Sequence, residues 1–320
     1  VTTSTAHGYN LYDIIAISGA NESVFNDEFT IASVPSTTTF TFPLTTGLSA
    51  ATGTITCKIA PLGWTREFTG TNQSVYRSAD ATGTRLYLRI DDTPARTAKM
   101  NMYETMTDLN NGTGKSTDIF WAKSNLATSS TRPWYIVGDS KRFYLMVEFY
   151  AAWVGLVPCF FGDIAPFKTG FAWDCALCGF AATDPAYPYT GTNSMGSNNG
   201  ATYGLILARS AYGLGGNVPM GILSAFQGST IGQNTSQSAV FPSPIDNKTH
   251  LFECFVFDAT AKSVRGKVPG YYAPAEMTAG AYATRDRFVQ DSKNYMAFRL
   301  GTTGQFTWGN VFIDISGPWE

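Results

Sequence analysis

Charge is scarce in this sequence. Asp, Glu, Lys and Arg make up 14% of its 320 residues, against about a quarter in an ordinary soluble domain. Only two histidines occur, His7 and His250. A His-cluster metal site is therefore excluded, and any Ser-His-Asp arrangement would have to use one of these two. There is no basic stripe: the 22 Lys and Arg are scattered and the net charge is -2, so nucleic acid is not expected as a direct partner. Long apolar runs are missing as well. The longest, FYLMVEFYAAWVGLVPCFFG, contains Glu148 and is broken by Gly155 and Pro158, which predicts buried strands and no membrane insertion. No secretory leader is visible, and a chain starting at Val1 is expected to have been processed or to lack its first residues.

Cysteine is limited to five residues, an odd number: Cys57, Cys159, Cys175, Cys178 and Cys254. Cys175 and Cys178 form one C-x-x-C without a second pair or a nearby His, so a four-ligand zinc site lacks half its donors. Buried free thiols are the expectation, and they fit assembly in a reducing cytoplasm.

What is abundant points to an all-β protein. The chain has 16 Tyr and 22 Phe, with Gly, Ser, Thr and Asn filling the gaps between apolar runs. In residues 1–60, DIIAISGA, EFTIASV, TTFTFPL and GTITCKI read as four short strands of a small sandwich or barrel, with Phe40, Phe42 and Leu44 on one face. APLGW, Ala60 to Trp64, reads as the joint to a larger antiparallel β-sandwich spanning 61–320. There TRLYLRID is expected to bury Leu86, Leu88 and Ile90 and to turn Arg85, Tyr87, Arg89 and Asp91 outward. KRFYLMVEFY is expected to bury Phe143, Leu145, Val147 and Phe149 and to expose Arg142, Tyr144, Glu148 and Tyr150. HLFECFVFDA, apolar on both faces, reads as a central strand. The Ala-rich stretch from Ala273 to Thr284 is the one place where a helical turn is expected. Two long polar segments, Thr183 to Gly204 and Gln227 to Thr249, interrupt the strands. Segments this long serve contacts or are mobile. Tyr187, Tyr189 and Tyr203 in the first are candidate inter-subunit anchors, or rings that pin the segment to its own domain.

Candidate chemistry is thin. NNGTGKST, Asn110 to Thr117, matches the end of a phosphate-binding loop at Gly114, Lys115 and Ser116, but Leu109 stands where the first Gly belongs and no helical stripe follows. It is expected to be an exposed turn. A calcium loop starting at Asp108 fails because its twelfth position is Ile119. Asp91 and Asp92 are adjacent, so on a strand they face opposite sides. Glu104 stands out, because on a strand it would share an apolar face with Met100, Met102 and Met106 and needs a partner there. A buried ion pair with Arg89, or with Arg96, is expected; a catalytic carboxylate is the alternative. No cofactor and no metal is expected.

Two sets of stretches carry a resemblance. HGYNLYDIIAISGANESVFNDEFTIASVPSTTTFTF resembles a small β module common in virion proteins of tailed bacteriophages. Its usual form is H-G, a G-D pair before a strand, an S-G-A turn, N-G-x-F and a closing F-T-F. Here Tyr12 replaces the Gly before Asp13, and Asp27 replaces the Gly after Asn26. GWTREFTGTNQSVYR, LYLRIDDT, YETMTDLNNGTG, RPWYIVGDSKRFYL, FFGDI, RGKVPGYY and VFIDISGPW are similar to an accompanying domain of uncharacterised phage structural proteins. Any family segment that precedes the first module is expected to be absent here. The resemblance implies a non-enzymatic virion part, most readily of the tail or baseplate, that contacts copies of itself and other virion proteins after assembly in the host cytoplasm. A capsid decoration protein, or a receptor- or carbohydrate-binding module contacting host surface glycan, is the alternative. A hydrolase centred on Glu104 or on Asp91 and Asp92 is a third reading. It predicts two carboxylates facing each other in an open cleft, and a Glu104 buried against Arg would count against it.

Overall fold

The computed structural model describes every residue except 45–49, 128–130, 149–155, 181–194, 196–203, 225–240, 277–280, 303–305, 318 and 320. Among the described residues there is no α-helix, and the chain is all-β with antiparallel sheets. It divides into two compact units, Val1–Leu62 and Gly63–Glu320.

The small unit has five strands: β1 (Ile14–Ala20), β2 (Glu28–Thr30), β3 (Ser33–Ser36), β4 (Thr39–Thr41) and β5 (Gly53–Ile59). They form a sheet in the order β2-β1-β5 and a β3-β4 hairpin. EFTIASV is thus two strands rather than one. Its Ile31 is buried with Ile15, Ile17 and Phe40, and Phe29 and Phe42 stack at the rim of this core. Gly19 is required at the bulge in β1: its φ is +83°, and a Cβ there would lie 2.1 Å from the Thr54 carbonyl oxygen.

The large unit begins with β6 (Trp64–Gly70), β7 (Gln73–Ser78), β8 (Tyr87–Asp91), β9 (Thr97–Tyr103), a short hairpin of β10 (Thr105–Met106) and β11 (Gly112–Thr113), and β12 (Ile119–Ala122). Apart from the hairpin these make one five-stranded sheet, β12-β9-β8-β7-β6. The rest is a twelve-stranded sheet. Its strands are β13 (Trp134–Gly138), β14 (Arg142–Val147), β15 (Val157–Asp163), β16 (Ala165–Pro166), β17 (Cys175–Cys178) and β18 (Leu205–Arg209). They continue with β19 (Gly215–Ser224), β20 (Leu251–Asp258), β21 (Ser263–Pro274), β22 (Arg287–Gln290), β23 (Lys293–Thr302) and β24 (Phe306–Asp314). The order is β13-β14-β15-β17-β18-β19-β20-β21-β24-β23-β22, with β16 paired to β21.

This sheet folds over on itself, and its first half becomes the middle of three layers. Val147, Val157, Cys159, Phe161, Cys175, Leu177 and Ile206 face Leu88, Met100, Met102 and Trp121 of the five-stranded sheet. Their sequence neighbours Tyr144, Met146, Phe160, Ala176, Cys178, Leu205 and Leu207 face Val256, Tyr271, Phe298 and Val311 of the second half.

The middle layer overturns one expectation. Tyr144 is fully buried rather than outward, and Arg142 is buried as well. The Tyr144 hydroxyl donates to the Pro269 carbonyl on β21, which satisfies the polar tip that looked solvent-bound in the sequence. Tyr150 and Phe149 lie outside the described residues. Ala273 and Pro274 end β21 instead of opening a helical turn, and residues 277–280 of the same Ala-rich stretch lie outside the described residues.

Candidate functional site

The sequence singled out Glu104, and its position follows from the local fold. β9 ends at Tyr103, and the chain folds back as the β10–β11 hairpin, with the Glu104 amide bonded to the Thr113 carbonyl at 3.0 Å. Gly114 then passes directly under the Glu104 side chain. Its φ is +65°, and a Cβ would sit 2.4 Å from Glu104 Cγ. NNGTGKST is therefore a turn shaped around Glu104. Ser116 accepts from the Met102 amide at 2.9 Å and donates to the Thr117 carbonyl, and Lys115 lies 3.9 Å from Asp118. β12 follows rather than a helix.

Glu104 does not pair with Arg89. Its carboxylate is bound on both oxygens by Arg209 at the end of β18, with Nε–Oε1 and Nη2–Oε2 each 2.5 Å. Arg89 is itself buried rather than outward. It donates to the Leu109 carbonyl at 2.8 Å and to Asn110 Oδ1 at 3.0 Å, and lies 3.9 Å from Asp91. The reason is register: Arg89 stands opposite Asn101, well inside the sheet, and the hairpin that contains Leu109 folds over it. Glu104 lies beyond the end of β9, where β18 arrives. The hydrogen bonds from Arg209 hold the Glu104 carboxyl below its ordinary range, against the opposing effect of partial burial. A general acid needs the opposite shift. Asp91 and Asp92 have separate partners. Asp91 accepts from Gln73 at 2.9 Å, and Asp92 pairs with Lys123 at 2.7 Å.

Behind Arg209 lies a network that sequence reasoning missed. Its guanidinium sits 5.5 Å over Trp173, which stacks on Phe171 at 5.2 Å. Arg265 of β21 lies below. It pairs with Asp174 and, at 3.3 Å, with Asp258, and donates to the Arg209 carbonyl at 3.2 Å. Asp258 also accepts the amides of Ala211, Thr260 and Ala261. Burial raises the Asp174 pKa while Arg265 opposes it. These residues are 91 positions apart in the case of Asp174 and Arg265, and no spacing rule joins them. Around this pillar the side chains of Phe167, Tyr212 and Leu214 are more than half exposed.

The two cysteines of the C-x-x-C are three residues apart on one strand, so they face opposite layers. Cys175 belongs to the core shared with the five-stranded sheet and Cys178 to the other. They can neither bridge nor share a metal. Burial pushes both thiols well above their ordinary pKa, and all five cysteines are free. We expect Cys159, Cys175, Cys178 and Cys254 to be inert toward a thiol reagent in the native protein and to react once urea unfolds it. Prompt labelling of Cys175 in native buffer would contradict this burial.

His250 is held between two carboxylates. Nδ1 is bonded to Glu276, whose side chain is only 1% exposed, and Nε2 lies 3.2 Å from Asp246. The Glu276 carboxylate also accepts the His250 amide at 2.7 Å. A neutral imidazole has one N–H, so only the imidazolium can donate to both. The bond to Glu276 is the main cause of a pKa raised above 6.5. The folded chain thus holds this proton more tightly than the unfolded one. The stabilisation from His250 is complete below pH 6.5 and is lost as the pH rises through the higher folded-state value. The check is the difference in unfolding free energy between the wild type and His250→Gln, followed from about pH 5 to about pH 9. A difference that grows with pH would have the wrong sign.

Tyr187, Tyr189 and Tyr203 lie outside the described residues. No group of three or more His, Cys, Asp or Glu that could hold a metal ion occurs among the described residues, and no described helix is long and apolar enough to cross a membrane.

No family model and no curated protein matches this chain.

Brought together here are a Glu104 whose carboxylate is fully paired, a cross-layer arginine network and four thiols closed to solvent.

Proposed function

We propose that this chain is a non-enzymatic structural component of a tailed-phage particle, in the tail or its baseplate, working through contacts with other virion proteins and with copies of itself. The observation that carries the reading is Tyr12. It adopts φ of 70°, the left-handed region that glycine enters freely and a bulky residue rarely does. The resembled phage module has Gly at this position. At this departure from the module's usual form the backbone has the conformation that Gly adopts without strain, which supports the resemblance; Asp27, at the other departure, is not among the positive-φ residues. Free buried thiols fit assembly in a reducing host cytoplasm. A low density of charge fits a surface covered by neighbours.

The test is a cryo-electron-microscopy map of the purified particle, with mass spectrometry of its components. Density for this chain in the tail or baseplate supports the reading. Density on the head shell points to a decoration protein instead. Absence of the chain from purified particles refutes both. A second reading, a glycan- or receptor-binding module on the virion surface, draws on the exposed rings of Phe167 and Tyr212. It predicts that Tyr212→Ala weakens binding to host surface glycan without changing the melting temperature.

A further inference from the structure

Sheet edges are hazardous because their unpaired N–H and C=O groups will accept any strand, and proteins block them with charge, proline or cover. Most edges here are blocked. β6 carries Arg66 and Glu67, β5 carries Lys58 and β22 carries Arg287. The outer side of β12 is covered where Phe120 and Phe180 exchange backbone bonds. β13, WYIVG, has none of these devices. It ends the twelve-stranded sheet, and among the described residues no strand pairs with its outer side. Trp134 is 62% exposed and Ile136 44%.

We infer that β13 is a self-pairing edge: the β13 of a second copy adds to it antiparallel, about a two-fold axis through Ile136, and joins two large sheets into one. This rests on the reading that the chain works through contacts with copies of itself.

Three features of β13 support a twin as the occupant. The first is hydrogen-bond phase. Asp139 donates to Arg142 and Pro133 accepts from Glu148, both across the pairing with β14. Bonding alternates along an antiparallel strand, so Pro133, Tyr135, Val137 and Asp139 are turned to β14, while Trp134, Ile136 and Gly138 point their N–H and C=O groups outward. Pairing about Ile136 sets Ile136 against its twin and Trp134 against Gly138. Among the described residues nothing pairs with the outward groups of these residues, so each exchanges both of its bonds.

The second is shape. Opposed residues share a face, so each Trp134 ring meets a position without a side chain, and the two Ile136 side chains meet at the axis. On the other face Tyr135 opposes Val137, and both already pack against the inner core. The third is charge. A two-fold contact normally brings each charge near its own copy, but β13 has none to repel. Just past its ends, Arg132 of one copy stands opposite Ser140 of the other and Asp139 opposite Pro133, so like charges do not meet there either.

The experiment is sedimentation of the full chain and of Ile136→Lys, with thermal melting as a fold control and amide exchange as a second readout. Ile136 is partly exposed and among the described residues its outward N–H has no partner in one copy, so the variant should melt as the wild type does. We expect the wild type at twice the 34.6 kDa chain mass, the variant at the single mass, and exchange at Trp134, Ile136 and Gly138 slowed only in the wild type. If the lysine lowers the melting temperature, Trp134→Ser probes the same contact. A larger wild-type assembly that Ile136→Lys leaves intact would overturn β13 pairing and keep self-association. A wild type that stays single at high concentration would overturn it too, and the virion reading would then stand or fall on the particle map alone.

Discussion

Replacing Arg265 with methionine should destabilise the large unit by about 3–5 kcal/mol. Arg265 and Asp174 are each only 5% exposed and Asp258 is closed to solvent. Removing the guanidinium leaves two carboxylates in the interior with no cation against them. Asp258 keeps its three backbone donors; Asp174 loses its ion pair and takes most of the penalty. Arg265→Met combined with Asp174→Asn should therefore recover part of the loss, because the added substitution removes the charge that Arg265 had neutralised. Lys267→Met provides the contrast. Lys267 and Glu253 pair at 2.7 Å but are 37% and 43% exposed, and such pairs contribute about 0–1 kcal/mol. Urea unfolding monitored by tryptophan fluorescence measures all three variants. Equal effects at Arg265 and Lys267 would mean that the interior network is not desolvated as described.

The second large effect tests the three-layer arrangement. Phe160 and Phe161 are neighbours on β15, both 1% exposed, and they enter different cores. Phe160 lies 5.1 Å from Tyr144 in the core of the rolled sheet, while Phe161 lies 5.6 Å from Trp64 in the core shared with the five-stranded sheet. Each Phe→Ala substitution should cost about 3–5 kcal/mol from lost burial and the cavity left behind. In an ordinary two-layer sandwich one of two adjacent strand residues faces water, and its truncation costs little. A near-neutral result at either position would remove the middle layer. Comparable large losses at both would establish a strand that is buried on both faces.

These two tests bear on what could be read before folding. The run VPCFFGD has apolar residues at consecutive positions, the mark of a strand covered on both sides. β14 is less clear: Phe143, Leu145 and Val147 share one face, while Arg142, Tyr144 and Met146 share the other, with Glu148 just beyond the strand, and the polar members of that second face predict exposure to water. That face is buried because Tyr144 finds an acceptor on β21, 125 residues later. Similarly, the periodicity that placed Leu86 and Leu88 inside was correct. It could not reveal that a short hairpin would cover the opposite side and bury Arg89. Glu104 was recognisable as a carboxylate in need of a partner, but its sequence neighbours offered Arg89 and Arg96, and Arg209 arrives from another sheet.

By itself, then, the sequence determined the all-β class, the strands of alternating or continuous apolar character, the glycine-bearing turns and the thiols without partners. All of these rest on interactions between residues a few positions apart, or on simple counts. Tertiary structure alone decided which faces were covered, which arginine met which carboxylate, and which strand ended the larger sheet among the described residues. Those outcomes depend on surfaces distant in the chain, such as Arg209 and Glu104, 105 residues apart, and desolvation there reverses the preference a polar side chain shows in water.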